Sequence, residues 1–533
     1  MPTKLRRVDL LQIGDGPPSS DVNYLIAYNG ALDSRSRRLL DIAMVHENRG
    51  RPREFLPSQF FTLAYLTVLA QRPLHLTQIY ATFCGLTSRQ RTQLGLTKLN
   101  YDQVTHFVRR VKELVDSGRL AIVDVMNGIF DAQIPDGSTL SVAVDSTDFE
   151  TSARIRAFWS KDRDPAPTTH DEEEAPSAQS PGRRHWPILR EDNRLQRTKD
   201  PDARDGHRSS RNNRLSGPFV GYDLTLGVNT RPYGYSSPVP NYIVGANLTP
   251  AGSHHAKAAQ PIISLLLGHG HTITDIPADR AYNLAKPEHW TDLLRQLDIE
   301  PVFDLTKRQR AQKPGTTPGT IFIDGTLFTQ ALPTNLRNLP AHRPDMTTKE
   351  HEELARRYDE RYAQYGYKPM ATTTDGTRFR GPVRADRATS PIRCPNTPYS
   401  MRGSLDRPTT NCDGPCGCRG TVIIPHSHLS NIRQRHPYGT TKWYADYHRR
   451  NAVESANSQL RNDQALERGY TRVFGRLKNA FLLGFTIFAH NQACILNHFH
   501  LRGQDIPDTF RLTHRPLAPQ HARNSGQQGS SDD

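Results

Sequence analysis

Between residues 140 and 304, short β-rich apolar runs alternate with helical stretches in an order that leaves few folds open. Leu140-Ser-Val-Ala-Val144 reads as a buried strand, with Pro135, Asp136 and Gly137 supplying the turn before it. Residues 219–228 and 242–248 read as two more strands, forming an antiparallel meander with the first. A helix over 253–267 follows, with Ala258, Ile262, Ile263, Leu266 and Leu267 on its inward face. Next come a strand over 271–279, a helix near 286–297 and a strand near 301–304. Three strands, helix, strand, helix, strand is the order of a mixed α/β sheet. Asp145 directly follows the first apolar run and is expected at that strand's tip. Asp279 is expected at the end of the fourth strand.

A second informative stretch is Tyr447-His-Arg-Arg-Asn-Ala-Val-Glu-Ser-Ala-Asn-Ser-Gln-Leu-Arg461. It has no Pro or Gly and is rich in helix formers. As one helix at about 100° per residue, it would place Tyr447, Arg450, Glu454, Asn457 and Arg461 within an arc of about 80°. Val453, Ala456 and Leu460 form an adjoining apolar stripe. An ordinary amphipathic helix with i,i+4 charge pairs is the competing reading, as an ordinary turn carboxylate is for Asp145.

The spacing Tyr-x2-Arg-x3-Glu-x6-Arg resembles the last block of DDE-class insertion-sequence transposases, whose pattern is Tyr-x2-Arg-x3-Glu-x6-Lys. Arg461 stands where the family has Lys, keeping the charge and changing its geometry. Asp279 followed by Tyr282 is similar to the family's second block, and Asp200-Pro-Asp-Ala203 to a short loop signature. The resemblance implies an RNase H-like mixed sheet, with a long insertion before the last catalytic helix and an N-terminal helical domain. It implies that Asp145, Asp279 and Glu454 hold two Mg2+ or Mn2+ ions, Asp145 bridging both. It assigns Tyr447, Arg450 and Arg461 to DNA phosphates. Trp290 and Trp443 are candidates for stacking a flipped base, with packing as their competing role. The implied activity is DNA transposition, by end cleavage and strand transfer, as a homodimer on DNA. Three alternatives stay open: a non-catalytic DNA-binding relative, another RNase H-like nuclease, and an interaction protein whose acids only form salt bridges.

A net charge of +15 and a pI near 9.6 favour a polyanionic partner such as DNA, unless the basic composition is general to the source. Only 35% of the 533 residues are hydrophobic, so much of the chain is expected in loops and tails. The N-terminal apolar run is broken by Asp9, and the longest apolar run, 480–489, is too short for a bilayer. A cytoplasmic, nucleoid-associated protein with no membrane contact is the expectation.

The expected organisation begins with a lead-in at 1–50 and a helical, candidate DNA-binding domain at 51–130. The catalytic core follows at 138–306, with a mobile linker at 155–215. An insertion at 307–442 precedes the rest of the core at 443–502, where a helix over 472–498 is expected to pack on the sheet. Residues 503–533 read as a disordered tail. Within the insertion, Cys394, Cys412, Cys416 and Cys418 form a candidate structural zinc site. Their irregular spacing leaves free thiols as the alternative, and His426 and His428 as substitute ligands.

Overall fold

Strand β1, Thr139–Glu150, is the central strand of a six-stranded mixed sheet. Its β-branched Val142 and Val144 are buried together with Leu140 and Ala143, so both faces of the strand are covered. The computed structural model describes residues 20–45, 55–153, 188–189, 195–196, 198–208, 217–343, 345–385, 390–401, 408–409, 417–462, 466, 470–507 and 510. These residues divide between two compact units, the larger comprising Asp136–Asn462 and Leu466–Arg468.

The other strands of the sheet are β2 (Arg204–Arg208), β3 (Gly217–Thr230), β4 (Ile243–Pro250), β5 (Thr272–Ala278) and β6 (Glu300–Phe303). β3 lies antiparallel to β1, and β4 antiparallel to β3, giving the expected meander. β5 lies parallel to β1 on its other side, and β6 parallel to β5. The order is therefore β4-β3-β1-β5-β6, with β2 also paired to β3. The helix His255–Gly268 packs on β3 and β4. A side chain at Gly245 would strike Ile262 Cγ2 at 2.2 Å, so glycine there permits the close approach.

Several sequence expectations are corrected in this unit. Asp145 does not end β1, because pairing with the 14-residue β3 carries the strand on to Glu150. The expected linker contains β2, an edge strand held by backbone pairing and by Phe219 packed over Gly206. The helix expected near 286–297 is a 3-10 turn, Pro287–His289, and a short helix, Thr291–Gln296, separated by Trp290. The stretch 447–461 is not one helix. Thr441–Tyr447 runs into a 3-10 turn, His448–Arg450, and then into the helix Asn451–Asn462.

The insertion carries a hairpin, Thr320–Ile323 with Thr326–Thr329, and a charged helix, Thr348–Tyr365. Leu339, Leu354, Tyr358, Ile432 and Tyr438 from the insertion share a core with Phe303 and Trp443. Trp443 Nε1 donates to the Phe303 carbonyl at 3.2 Å, which ties the helix entering the site to the end of β6.

The smaller unit is helical. Residues 20–45, expected as part of a loose lead-in, form the helices Ser20–Asp33 and Arg35–Val45. Pro57–Leu69, Leu76–Cys84, Ser88–Leu94 and Tyr101–Asp116 follow, and Arg476–His500 joins them. That last helix was expected on the sheet. Its Phe481, Phe485 and Phe488 instead pack on Phe60, Phe61, Tyr65 and Phe107. Gln133 Nε2 donates to the Phe488 carbonyl at 3.0 Å. Among the described residues, it is the one helix long and apolar enough to cross a membrane, but 83% of its most apolar window is buried, as in a core helix.

A side chain at Gly484 would lie 2.6 Å from Ile129 Cδ1 and 2.7 Å from the Met126 carbonyl, where the last helix crosses its neighbour. Gly484→Ala should therefore destabilise the helical unit by about 1–3 kcal/mol through overpacking. Thermal unfolding checks this: a lowered Tm is expected, and an unchanged Tm contradicts the close crossing.

Candidate active site

The parallel strands set a common register. Val144 of β1 pairs with Ala278 of β5, which pairs with Phe303 of β6. The residue after each of these is an aspartate: Asp145 within β1, and Asp279 and Asp304 just past the ends of β5 and β6. Each is fixed in the same way, its Oδ1 accepting the N–H of the residue that follows. The distances are 2.9 Å from Ser146, 2.6 Å from Arg280 and 2.7 Å from Leu305. Asp145 is buried at 7% exposure, while Asp279 and Asp304 are half-buried. Asp304 was not singled out from sequence. The signal was present: a short apolar run, Pro301-Val-Phe303, ends in an acid just as the runs before Asp145 and Asp279 do.

Glu454 lies in the first turn of Asn451–Asn462, which packs on β1 and β3 through Ala452, Val453, Ala456 and Leu460. Its Oε1 is 2.9 Å from Arg450 Nη2. Arg450 links the separate acids. Burial works against its charge, but Tyr447, Glu454, Asp145 and Asp279 around it hold the guanidinium above its ordinary pKa. Its Nε and Nη1 are buried and make no hydrogen bond. Glu454 thus pairs with Arg450, and the Asp145 and Asp279 charges act on the same guanidinium.

Tyr447 stacks on Trp443, with ring centroids 5.1 Å apart and planes at 8°, and Arg450 Cζ lies 5.5 Å from the Tyr447 ring centroid. Burial first, then Asp304, Asp279 and Glu454, push its phenol well up, with Arg450 opposing. Tyr282 is fully buried, 3.1 Å from Ser146 Oγ and packed on Trp290 at 5.0 Å. Burial and the Asp145 charge raise its pKa. Trp290 and Trp443 are 1% and 2% exposed, which favours the packing role for both. Burial also raises the Asp304 carboxyl, and the Asp279 charge adds to this, while Leu305 N–H, Arg280 and Tyr438 oppose.

Arg461 is already engaged. Its Nη2 lies 2.6 Å from Asp148 Oδ1 and also reaches Thr147 Oγ1, tying the end of the site helix to β1. A phosphate at Nη2 would compete with these partners.

The oxygen donors of Asp145, Asp279 and Glu454 suit a hard divalent cation. Among the described residues, no three His, Cys, Asp or Glu side chains already close on one point, and here a guanidinium provides the neutralising charge. In the insertion, Cys394 and Cys418 are buried beside Val383 and Ile392, with Cys418 Sγ 2.8 Å from Thr329 Oγ1. Cys412 and Cys416 lie outside the described residues. His426 Nε2 is 2.8 Å from the Thr373 carbonyl, and His428 packs on Phe322.

Compared with known proteins, the chain matches no family model, no curated protein and no solved structure.

Removing the Arg450 charge should strengthen cation binding by the carboxylates in the absence of DNA. At this partly exposed site, about 1 kcal/mol of repulsion is involved, so Arg450→Gln should lower the Mn2+ half-saturation by roughly threefold to tenfold. Electron paramagnetic resonance of a Mn2+ titration reads this; an unchanged or higher half-saturation contradicts the placement of Arg450 among the acids.

Proposed function

We propose that this chain is a DDE-class DNA transposase, cleaving DNA ends and joining them to a target by metal-dependent phosphoryl transfer. The carrying observation is the register Val144↔Ala278, which sets Asp145 and Asp279 at the same level of adjacent strands, together with Arg450, which pairs with Glu454 and feels both aspartate charges. The sheet order β4-β3-β1-β5-β6, antiparallel on one side of β1 and parallel on the other, supports an RNase H-like core for this reading. The spacing of Tyr447, Arg450, Glu454 and Arg461 supports the transposase family within that fold.

In this reading Asp145, Asp279 and Glu454 hold two Mg2+ or Mn2+ ions. Such ions lower the pKa of an attacking water and stabilise the charge on the attacking and leaving oxygens. The chain's own residues do the rest. The carboxylates are set on rigid strands and a packed helix, so their geometry precedes the substrate. Arg450 leaves Glu454 for the phosphate next to the scissile bond, where its fork matches two phosphate oxygens. Tyr447, held against Trp443, limits how far Arg450 swings. The basic chain draws in DNA through counterion release, which makes binding salt-dependent. A homodimer on DNA and the candidate zinc site belong to the same proposal, as does DNA binding by the helical unit.

The test uses linear duplexes carrying the DNA that flanks the gene on both sides, with Mg2+. Wild type should nick at an element end and transfer the freed strand. Asp145→Asn, Asp279→Asn and Glu454→Gln should each lose detectable cleavage while binding the duplex as wild type does. Full cleavage by all three variants would sink the assignment. Nicking without strand transfer would favour another nuclease on the same fold.

A further inference from the structure

Roughly 13 Å along β1 and β5 from the two aspartates, at four residues of about 3.3 Å each, lies a closed ring of charge around two buried carboxylates. Asp275 and Asp446 are both 1% exposed. Arg435 bridges them, with Nη2 3.2 Å from Asp275 Oδ2 and Nε 2.8 Å from Asp446 Oδ2. Arg449 bridges them again, with Nη1 2.9 Å from Asp275 Oδ1 and Nε 3.1 Å from Asp446 Oδ1. Two positive and two negative side chains alternate around the ring, so it is neutral as a whole.

The ring joins the pieces that carry the proposed metal ligands. Asp275 is on β5, four residues before Asp279, and its register partner Ser141 is on β1, four residues before Asp145. Ser141 Oγ donates to Asp275, and Arg449 Nη1 donates to Ser141 Oγ at 2.5 Å and to the Arg231 carbonyl at 3.0 Å. Asp446 and Arg449 lie eight and five residues before Glu454, on the helical run that leads into its helix. The consecutive arginines thus divide their work: Arg449 enters the ring, and Arg450 faces the carboxylates. The other groups around the ring fit this arrangement. His436 lies 3.8 Å from Asp446 Oδ2, and burial lowers its pKa to about 4, so it adds no charge near neutral pH. Tyr233 lies under the Arg435 guanidinium at 4.9 Å, and Glu300 accepts the Arg435 N–H at 2.9 Å.

A buried ion pair is poor evidence for stability, because desolvation offsets its attraction; fixing one arrangement of elements is its better-supported use. We propose that Arg449, acting through Asp275 and Asp446, is a positioning residue that sets Glu454 against Asp145 and Asp279 for metal binding. The proposal rests on the metal-site reading above.

The experiment measures Mn2+ half-saturation by electron paramagnetic resonance without DNA, well below each variant's own Tm so that only folded protein is read. Arg449→Met leaves the ring with an uncompensated carboxylate, and Asp446→Asn/Arg449→Met restores neutrality without restoring the tether. Gly484→Ala serves as a variant destabilised in the other unit. Both ring variants should raise the half-saturation by about tenfold or more, the usual cost of losing a group that orients a ligand, while Gly484→Ala leaves it unchanged. Wild-type half-saturation in the double variant would overturn the proposal, as would an equal rise in Gly484→Ala. If wild type itself shows no Asp145-dependent Mn2+ binding, the metal-site reading fails and the positioning role falls with it. A wild type that binds Mn2+ alongside unaffected ring variants overturns the positioning role alone.

Discussion

The parallel pairing of β1 with β5 is the constraint on which the rest depends. Side chains alternate along a strand, so a one-residue slip would turn every residue of β5 to the opposite face. It would bury Thr274 where Ile273 now packs, and would separate Asp279 from Asp145. Beyond a bulge after Leu140, the register of this row is held by apolar burial and by Ser141 meeting Asp275. With that row fixed, β6 adds Asp304 at the same level, and one edge of the sheet becomes a line of three carboxylates.

Such an edge needs positive charge close by. Arg450 supplies it among Asp145, Asp279 and Glu454, and Arg280 acts on Asp304. Further along the strands, the neutral ring of Asp275, Arg435, Asp446 and Arg449 solves the same problem with both carboxylates buried. The two arrangements differ in what they permit. Arg450 makes one salt bridge, lies over the Tyr447 ring and keeps two unbonded nitrogens, so less holds it than holds Arg449. Arg449 is bonded to Asp275, Asp446, Ser141 and the Arg231 carbonyl, and moving it would break all of these.

The order of strands was legible because each run of apolar residues is bounded by turn residues, and Asp145, Asp279 and Glu454 were legible because each directly follows or adjoins such a run. What sequence did not show has particular causes. β2 is Arg-Asp-Gly-His-Arg and carries no apolar alternation; backbone pairing at an edge makes it a strand. The break at His448–Arg450 lies where Arg449 is bound by Asp275 and Asp446 by Arg435, tertiary contacts that periodicity does not encode. Asp275 sits within an apolar strand pattern, and its partner Arg435 is 160 positions away. The last helix is apolar on most of its surface, so its pattern says that it is buried without saying against what.

The most direct test of the central claim is local cleavage of the polypeptide by Fe2+ bound in place of Mg2+, with ascorbate and peroxide generating radicals at the ion. One site built from Asp145, Asp279 and Glu454 predicts backbone cuts near all three residues, suppressed together by excess Mg2+. Cuts confined elsewhere, such as around the cysteines and histidines of 394–428, or cuts near only one of the three, would contradict it.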